Sequence, residues 1–213
     1  MVAIVAAGCS STNESSATNG NANRQAAATA SPSAASATPA SSHDMGGMDH
    51  GKTGSSPNAA SAPYDLQFID TIIVHHQSAV DMAKMAGMKT QNADLKAFAK
   101  KIIEDQEREI AQMKKWREGW YAGKPQAINM EMPGMNDSMK GMDMKGMNAA
   151  TGNAFDLMFI DMMTAHHQGA VTMAREALTR AEHPEIKRLA QAIIDAQEAE
   201  IAQMNKWKAA WTR

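Results

Sequence analysis

The sequence predicts an all-α protein, an antiparallel four-helix bundle made of two duplicated helical hairpins, and three observations carry that expectation. First, the chain repeats itself without a gap at an offset of 91 residues, with 27 identities over the 57 positions from Tyr64 to Trp120. That is too many for helix pairs alike only in amphipathicity, and a repeat of this kind decides the whole architecture. Second, apolar residues recur at three- and four-residue intervals, the helical period, in both halves of each copy. Third, the breaks inside each copy span only a few residues, which forces consecutive helices to run antiparallel.

Taken in order, residues 1–9 read as the end of a lipoprotein signal. Ala6-Ala7-Gly8-Cys9 resembles a bacterial lipobox, which predicts lipidation of Cys9, the one cysteine. No Lys or Arg precedes it and the apolar run is short, so a true start upstream of Met1 is expected. Residues 10–62 are rich in Ser, Ala, Thr, Asn and Gly, too poor in large apolar side chains to offset the entropy of ordering, and are expected to form a disordered tether. The first hairpin, 63–122, opens near Asp65, an N-cap candidate behind Pro63. Leu66, Ile69, Ile72, Val80 and Ala83 mark the inner face of its first helix. Thr90-Gln91-Asn92 interrupts it, and a second helix follows from about Asp94 to Tyr121, with Ala99, Ile102, Gln106, Ile110 and Met113 facing inward. Gly123-Lys124-Pro125 stops that helix. A linker, 123–153, leads to the second hairpin, 154–213, which starts near Phe155. It breaks at Glu182-His183-Pro184, where the proline suits a first helical position. The linker is long enough to cross the bundle in either sense, which leaves the topology open.

Formal charge is −2 over 213 residues, so no basic surface advertises nucleic acid as a partner. No segment reaches the roughly 20 apolar residues of a membrane span, and the only expected membrane contact is the N-terminal lipid anchor. The anomaly in composition is 19 methionines. Methionine is an adaptable core filler, so position decides what these side chains mean. Seven of them, Met130, Met132, Met135, Met139, Met142, Met144 and Met147, fall within the linker among Pro133, Gly134, Gly141 and Gly146. Those breakers argue against a helix, which predicts exposed thioethers available as soft-metal ligands. His43, Met45, Met48 and His50 form a similar island in the tether, with imidazole added.

Each repeat also carries a histidine pair, His75-His76 and His166-His167, ahead of Met82 and Met173. Residues i, i+4 and i+7 share a helix face, so His75, Ala79 and Met82 form one stripe and His166, Ala170 and Met173 another. If those stripes face the core, symmetry brings two imidazoles and two thioethers toward each other, with Met113 and Met204 approaching from the second helices. Imidazole with thioether and no carboxylate is a donor set that favours Cu(I), with Ag(I) alongside it, over Mg, Mn or Fe. A plain core histidine, hydrogen-bonded by Gln106 and Gln197 or by Asp70 and Asp161, is the competing reading. Trp116 and Trp207 stand three residues beyond Met113 and Met204, where sulfur–aromatic packing is expected.

The strings HHQxAxxMA and IIxxQxxEIxxMxxW, each present once per repeat, resemble the bacterial family catalogued as domain of unknown function 305. The resemblance covers 64–121 and 155–212. It implies a ferritin-like four-helix bundle, export from the cytoplasm and, for some members, copper binding and copper resistance. By motif, His75, His76, Met82 and Met113 carry over, as do His166, His167, Met173 and Met204.

The function expected from these readings is a periplasmic or envelope-tethered Cu(I)-binding protein that sequesters copper or passes it to a transfer partner, with no catalysis. One alternative is a non-metal interaction module whose methionine linker is a docking surface. The other is a ferritin-like di-iron oxidase, which needs Glu-x-x-His pairs on the bundle helices. Glu107 and Glu109 are followed three residues on by Ile110 and Gln112 instead.

Overall fold

The computed structural model describes residues 54–139 and 142–212. Four long helices form the bundle: α1 (Tyr64–Lys89), α2 (Ala93–Tyr121), α5 (Gly152–Arg180) and α6 (Pro184–Trp211). Two short ones, α3 (Met135–Met139) and α4 (Met144–Ala149), lie in the linker. Helices α1 and α2 pack as one hairpin, α5 and α6 as the other, and α1 meets α5 between them.

Helices α1 and α5 run antiparallel. Asp65, at the start of α1, bonds the backbone just beyond α5, at Glu182 and His183. At the other end Lys89 reaches the Asn148 carbonyl and lies over the Phe155 ring. The chain therefore leaves α2 at one end of the bundle and enters α5 at the other. That single long crossover is the connection that distinguishes ferritin-like bundles from simple up-and-down ones.

Capping departs from expectation at two starts. Helix α1 begins at Tyr64 with Pro63 as its N-cap residue, and Asp65 caps a different helix. Its carboxylate accepts from the Glu182 and His183 N–H groups, at 3.0 and 2.9 Å, and pairs with His183 Nδ1 at 2.6 Å. His183 is the N-cap residue of α6 and makes no side-chain cap bond of its own, so the donors at that helix start are met from across the interface. Asn92, its counterpart, caps α2 locally by accepting from the Asp94 and Leu95 N–H groups. Helix α5 begins at Gly152, three residues ahead of Phe155.

The linker is the larger correction. It is folded, and its methionines are core: Met132, Met135 and Met147 are buried, and Met130, Met139, Met142 and Met144 pack partly buried against the bundle. Of the glycines that argued against helix, Gly146 lies inside α4 and Gly134 allows close approach. Gly134 has φ +90°, and a Cβ at Gly134 or Gly169 would run into the other's carbonyl. At Gly169 it would also strike Ser138. Close backbone approach is what glycine provides here. The ordered body also extends into the segment assigned to the tether. Ser56 exchanges bonds with Ile128, Ser55 Oγ accepts from the Met130 N–H, and Ala59 is buried within a single 3-10 turn, Ala59–Ser61.

Cys9 and the motif His43, Met45, Met48 and His50 lie outside the described residues. Among those that are described, no helix is long and apolar enough to cross a membrane.

Candidate metal centre

The inward faces of α1 and α5 cross at their histidines. His75, His76, His166 and His167 are all fully buried. The rings of His75 and His166 face each other with centroids 3.6 Å apart and planes tilted by 31°. Within each helix the adjacent rings are 6.3 Å apart, which sets His76 and His167 on either side of the central pair.

Each outer histidine is held by a glutamate from the second helix of its own hairpin. His76 Nε2 lies 2.7 Å from Glu109 Oε2, and His167 Nε2 lies 2.8 Å from Glu200 Oε2. Neither glutamate was anticipated as a partner. The signal for them is that Glu109 stands on the inner stripe of α2 between Gln106 and Met113, at i+3 and i+7 spacing, and that Glu200 repeats it. The expected partners are engaged elsewhere or not at all. Asp70 pairs with Arg117 and accepts from the Ala127 N–H, and Asp161 pairs with Lys208. Gln106 is buried with both amide atoms lacking a hydrogen-bond partner.

The two halves differ in detail. Glu200 is also bonded by Lys101 Nζ, at 3.2 Å, whereas the position equivalent to Lys101 in the second repeat is Ala192. Burial would raise the Glu200 carboxyl, but bonds and charge from His167 and Lys101 outweigh it and hold the group below its ordinary value. Ser78 Oγ donates to the His75 carbonyl and lies 2.7 Å from His166 Nε2. A hydroxyl has one proton, so Ser78 accepts from His166 Nε2–H. The counterpart of Ser78 is Gly169, and His75 has no such anchor. Neither of its ring nitrogens has a hydrogen-bond partner. Burial, followed by the nearby charge of His166 and then of His76 and His167, pushes its pKa well below 6.5.

The middle of the bundle thus holds a layer of orphaned polar atoms: both nitrogens of His75, Nδ1 of His76 and of His167, both amide atoms of Gln106, and Oε1 of Gln197. Burying such atoms without partners is costly. Lone pairs on imidazole and amide oxygen are cation donors, and these residues fit a soft or borderline metal ion. Among the described residues no three His, Cys, Asp or Glu side chains group as a metal-holding cluster, so the donors this layer offers are the imidazoles and the Gln106 and Gln197 amides.

Thioethers flank the layer on both sides. Met82 and Met204 lie in one buried cluster with Met147, while Met113 and Met173 lie in the other with Met132 and Met135. Seven residues of helix advance about 10 Å, and α1 and α5 run in opposite directions. Met82 and Met173 therefore diverge from the histidine crossing. The sulfurs form two sets, one per end, where a single convergent set was expected. The linker supplies both, with Met130 to Met139 on one cluster and Met142 to Met147 on the other. Trp116 stacks on Trp120, and Trp207 on Trp211 with Phe98 at its edge, while Trp116 packs against the cluster that holds Met113 and Trp207 against the one that holds Met204.

Comparison with known proteins agrees with this architecture. CopM in its Cu(I)-bound form is 39% identical over 69% of this chain and 96% of its own, with a TM-score of 0.59. CopM in an Ag-bound form is 40% identical over the same share of each chain, also at 0.59. A putative secreted DUF305 protein from Streptomyces coelicolor is 28% identical over 70% of this chain and 93% of its own, at 0.61. No curated protein matches. The family described as Domain of unknown function (DUF305) matches residues 65–208, and with the duplicated hairpins and paired histidines in place, the chain belongs to that family.

Proposed function

We propose that this protein is an exported, envelope-tethered binder of Cu(I), with Ag(I) as a second soft ion, which sequesters copper or hands it to a transfer partner and catalyses no reaction. The observation that carries the proposal is the buried histidine layer with orphaned ring nitrogens, bracketed by two methionine clusters. Soft sulfur and imidazole select Cu(I) over hard divalent ions. Solved structures of CopM hold Cu(I), Cu(II) and Ag, at 39%, 41% and 40% identity to this chain, which supports the same cargo here. Tethering rests on Cys9 and the lipobox-like residues before it, and His43, Met45, Met48 and His50 add donors of the same chemistry in the tail. The docking-module alternative loses its main support, because the linker methionines it requires at the surface pack against the bundle.

The test is a Cu(I) competition titration against a chromogenic chelator, on the full chain and on a variant with His75→Ala and His166→Ala. Binding that weakens in the variant, with the helical melt preserved, is the expected result. A full chain that takes no Cu(I) from the chelator overturns the proposal.

A further inference from the structure

The hydrogen bonds fix which nitrogen each outer histidine can offer. A carboxylate only accepts, so Nε2 of His76 and of His167 carries the proton that Glu109 and Glu200 receive. A neutral imidazole protonated at Nε2 has its lone pair on Nδ1. In both residues Nδ1 is buried and has no hydrogen-bond partner. His166 has its Nε2 engaged in the same sense, against Ser78. The arrangement is duplicated: the same carboxylate position, 33 residues after the histidine, serves both copies.

We infer that Nδ1 of His76 and Nδ1 of His167 are the donor atoms these residues give to a soft cation, and that Glu109 and Glu200 are the positioning residues that set them. This rests on the metal-binding reading above and deepens it to named atoms. A carboxylate on the far nitrogen fixes the tautomer, holds the ring orientation and raises ligand basicity, and losing such a partner costs about 10- to 100-fold in metal affinity. The glutamates touch no metal themselves. Their distance from the orphaned nitrogen across the ring is what distinguishes this role from direct carboxylate ligation.

The experiment is a two-bond proton–nitrogen correlation spectrum of the imidazoles of the uniformly 13C,15N-labelled full chain, with a proton–carbon spectrum of the methionine methyls beside it, first metal-free and then with Ag(I) added. In the metal-free protein, His76 and His167 are expected to show the Nε2–H tautomer. Added Ag(I) is expected to move their Nδ1 resonances and leave Nε2 protonated. In Glu109→Gln and Glu200→Gln the amide can donate or accept, so the tautomer of the matching histidine becomes mixed. Affinity for Ag(I) then falls by about 10- to 100-fold, with the helical melt reporting that the bundle is intact. Nδ1 protonated in the metal-free protein, or Ag(I) shifting Nε2, overturns the inference. So does Ag(I) that moves only methionine methyl signals, an outcome that leaves metal binding itself standing. Ag(I) that moves neither methyls nor imidazoles overturns both.

Discussion

His75 and His166 lie ring on ring where α1 crosses α5, 3.6 Å between centroids, yet only His166 is anchored by a hydroxyl. The duplication placed the same residue at both positions and then diverged one helical turn later, at Ser78 and Gly169. Glycine at the second position admits the linker, whose Gly134 and Ser138 pack directly against it. The close approach of the crossover and the missing partner of His75 thus have one cause.

The buried His75 makes the metal-free protein acid-sensitive. Its folded pKa is pushed well below 6.5, first by burial and then by the charges of His166, His76 and His167. Glu109 and Glu200 face the two outer rings. Above about pH 6.5 His75 is neutral folded and unfolded, and burial carries no protonation cost. Below it the unfolded chain takes up a proton that the folded chain refuses, so stability falls by about 1.4 kcal/mol per pH unit for one such group. Glu200 acts lower. Its folded pKa is depressed from 4.5, so its contribution is lost only as pH falls below that value. Urea midpoints at about pH 7.5 and about pH 5.5 should therefore differ, and His75→Phe should reduce the difference. A midpoint that does not move between the two sinks this account.

The four long helices and both hairpins were legible because period, breaks and repeat all pointed the same way, whereas spacing alone left open which histidine of each pair faces the core, and all four are buried. The linker was not legible. Gly134 and Pro133 look like helix breakers in isolation, and only the approach of Gly134 to Gly169 shows that the segment forms a close packing site. The glutamate partners were hidden for a related reason. A charged residue on an inner stripe reads as solvated until the buried base opposite it is placed. The meeting of the thioethers failed on direction. Spacing puts Met82 and Met173 on the histidine faces, but the antiparallel crossing sends them apart.

Gly169→Ala tests whether the linker is held by close approach. The added methyl would strike Ser138 and the Gly134 carbonyl, and overpacking of this sort costs about 1–3 kcal/mol. The expected result is a lower melting temperature together with proteolytic cleavage between Gly123 and Gly152. Wild-type melting and wild-type resistance in this variant would show that the contact is dispensable. Gly87→Ala, in helix α1 with open space around it, is the control: it should raise the melting temperature slightly, by the helix propensity of alanine, and leave proteolytic resistance unchanged.

Met135 separates core from arm. It is fully buried in the cluster that contains Met113 and Met173, so Met135→Ala should destabilise by about 2–5 kcal/mol. Met88, 70% exposed, should tolerate the same change within about 0.5 kcal/mol. Equal and small losses at both sites, read from denaturant midpoints, would mean that the linker methionines are not part of the folded core.

Asp65 and Asp156 are equivalent in the duplication but not in the structure. Asp65 is buried and bonds two backbone N–H groups and the imidazole of His183, whose ring is stacked on Trp120 with centroids 3.9 Å apart. Pro184 follows at the helix start and brings no N–H of its own, so removing Asp65 leaves the remaining donors there without an acceptor. Asp65→Ala should cost about 2 kcal/mol, the upper range for a lost N-cap. Asp156 Oδ1 is buried with no hydrogen-bond partner, and Asn92 already caps the matching helix. Asp156→Ala breaks no bond at that buried oxygen and removes its desolvation cost, so it should not destabilise, with any loss below about 0.5 kcal/mol. Urea unfolding of the two variants side by side decides the matter. Matched losses would mean that both hairpins are stapled through their aspartates, whereas a loss confined to Asp65→Ala fixes the staple at one end of the bundle, where α1 meets the start of α6.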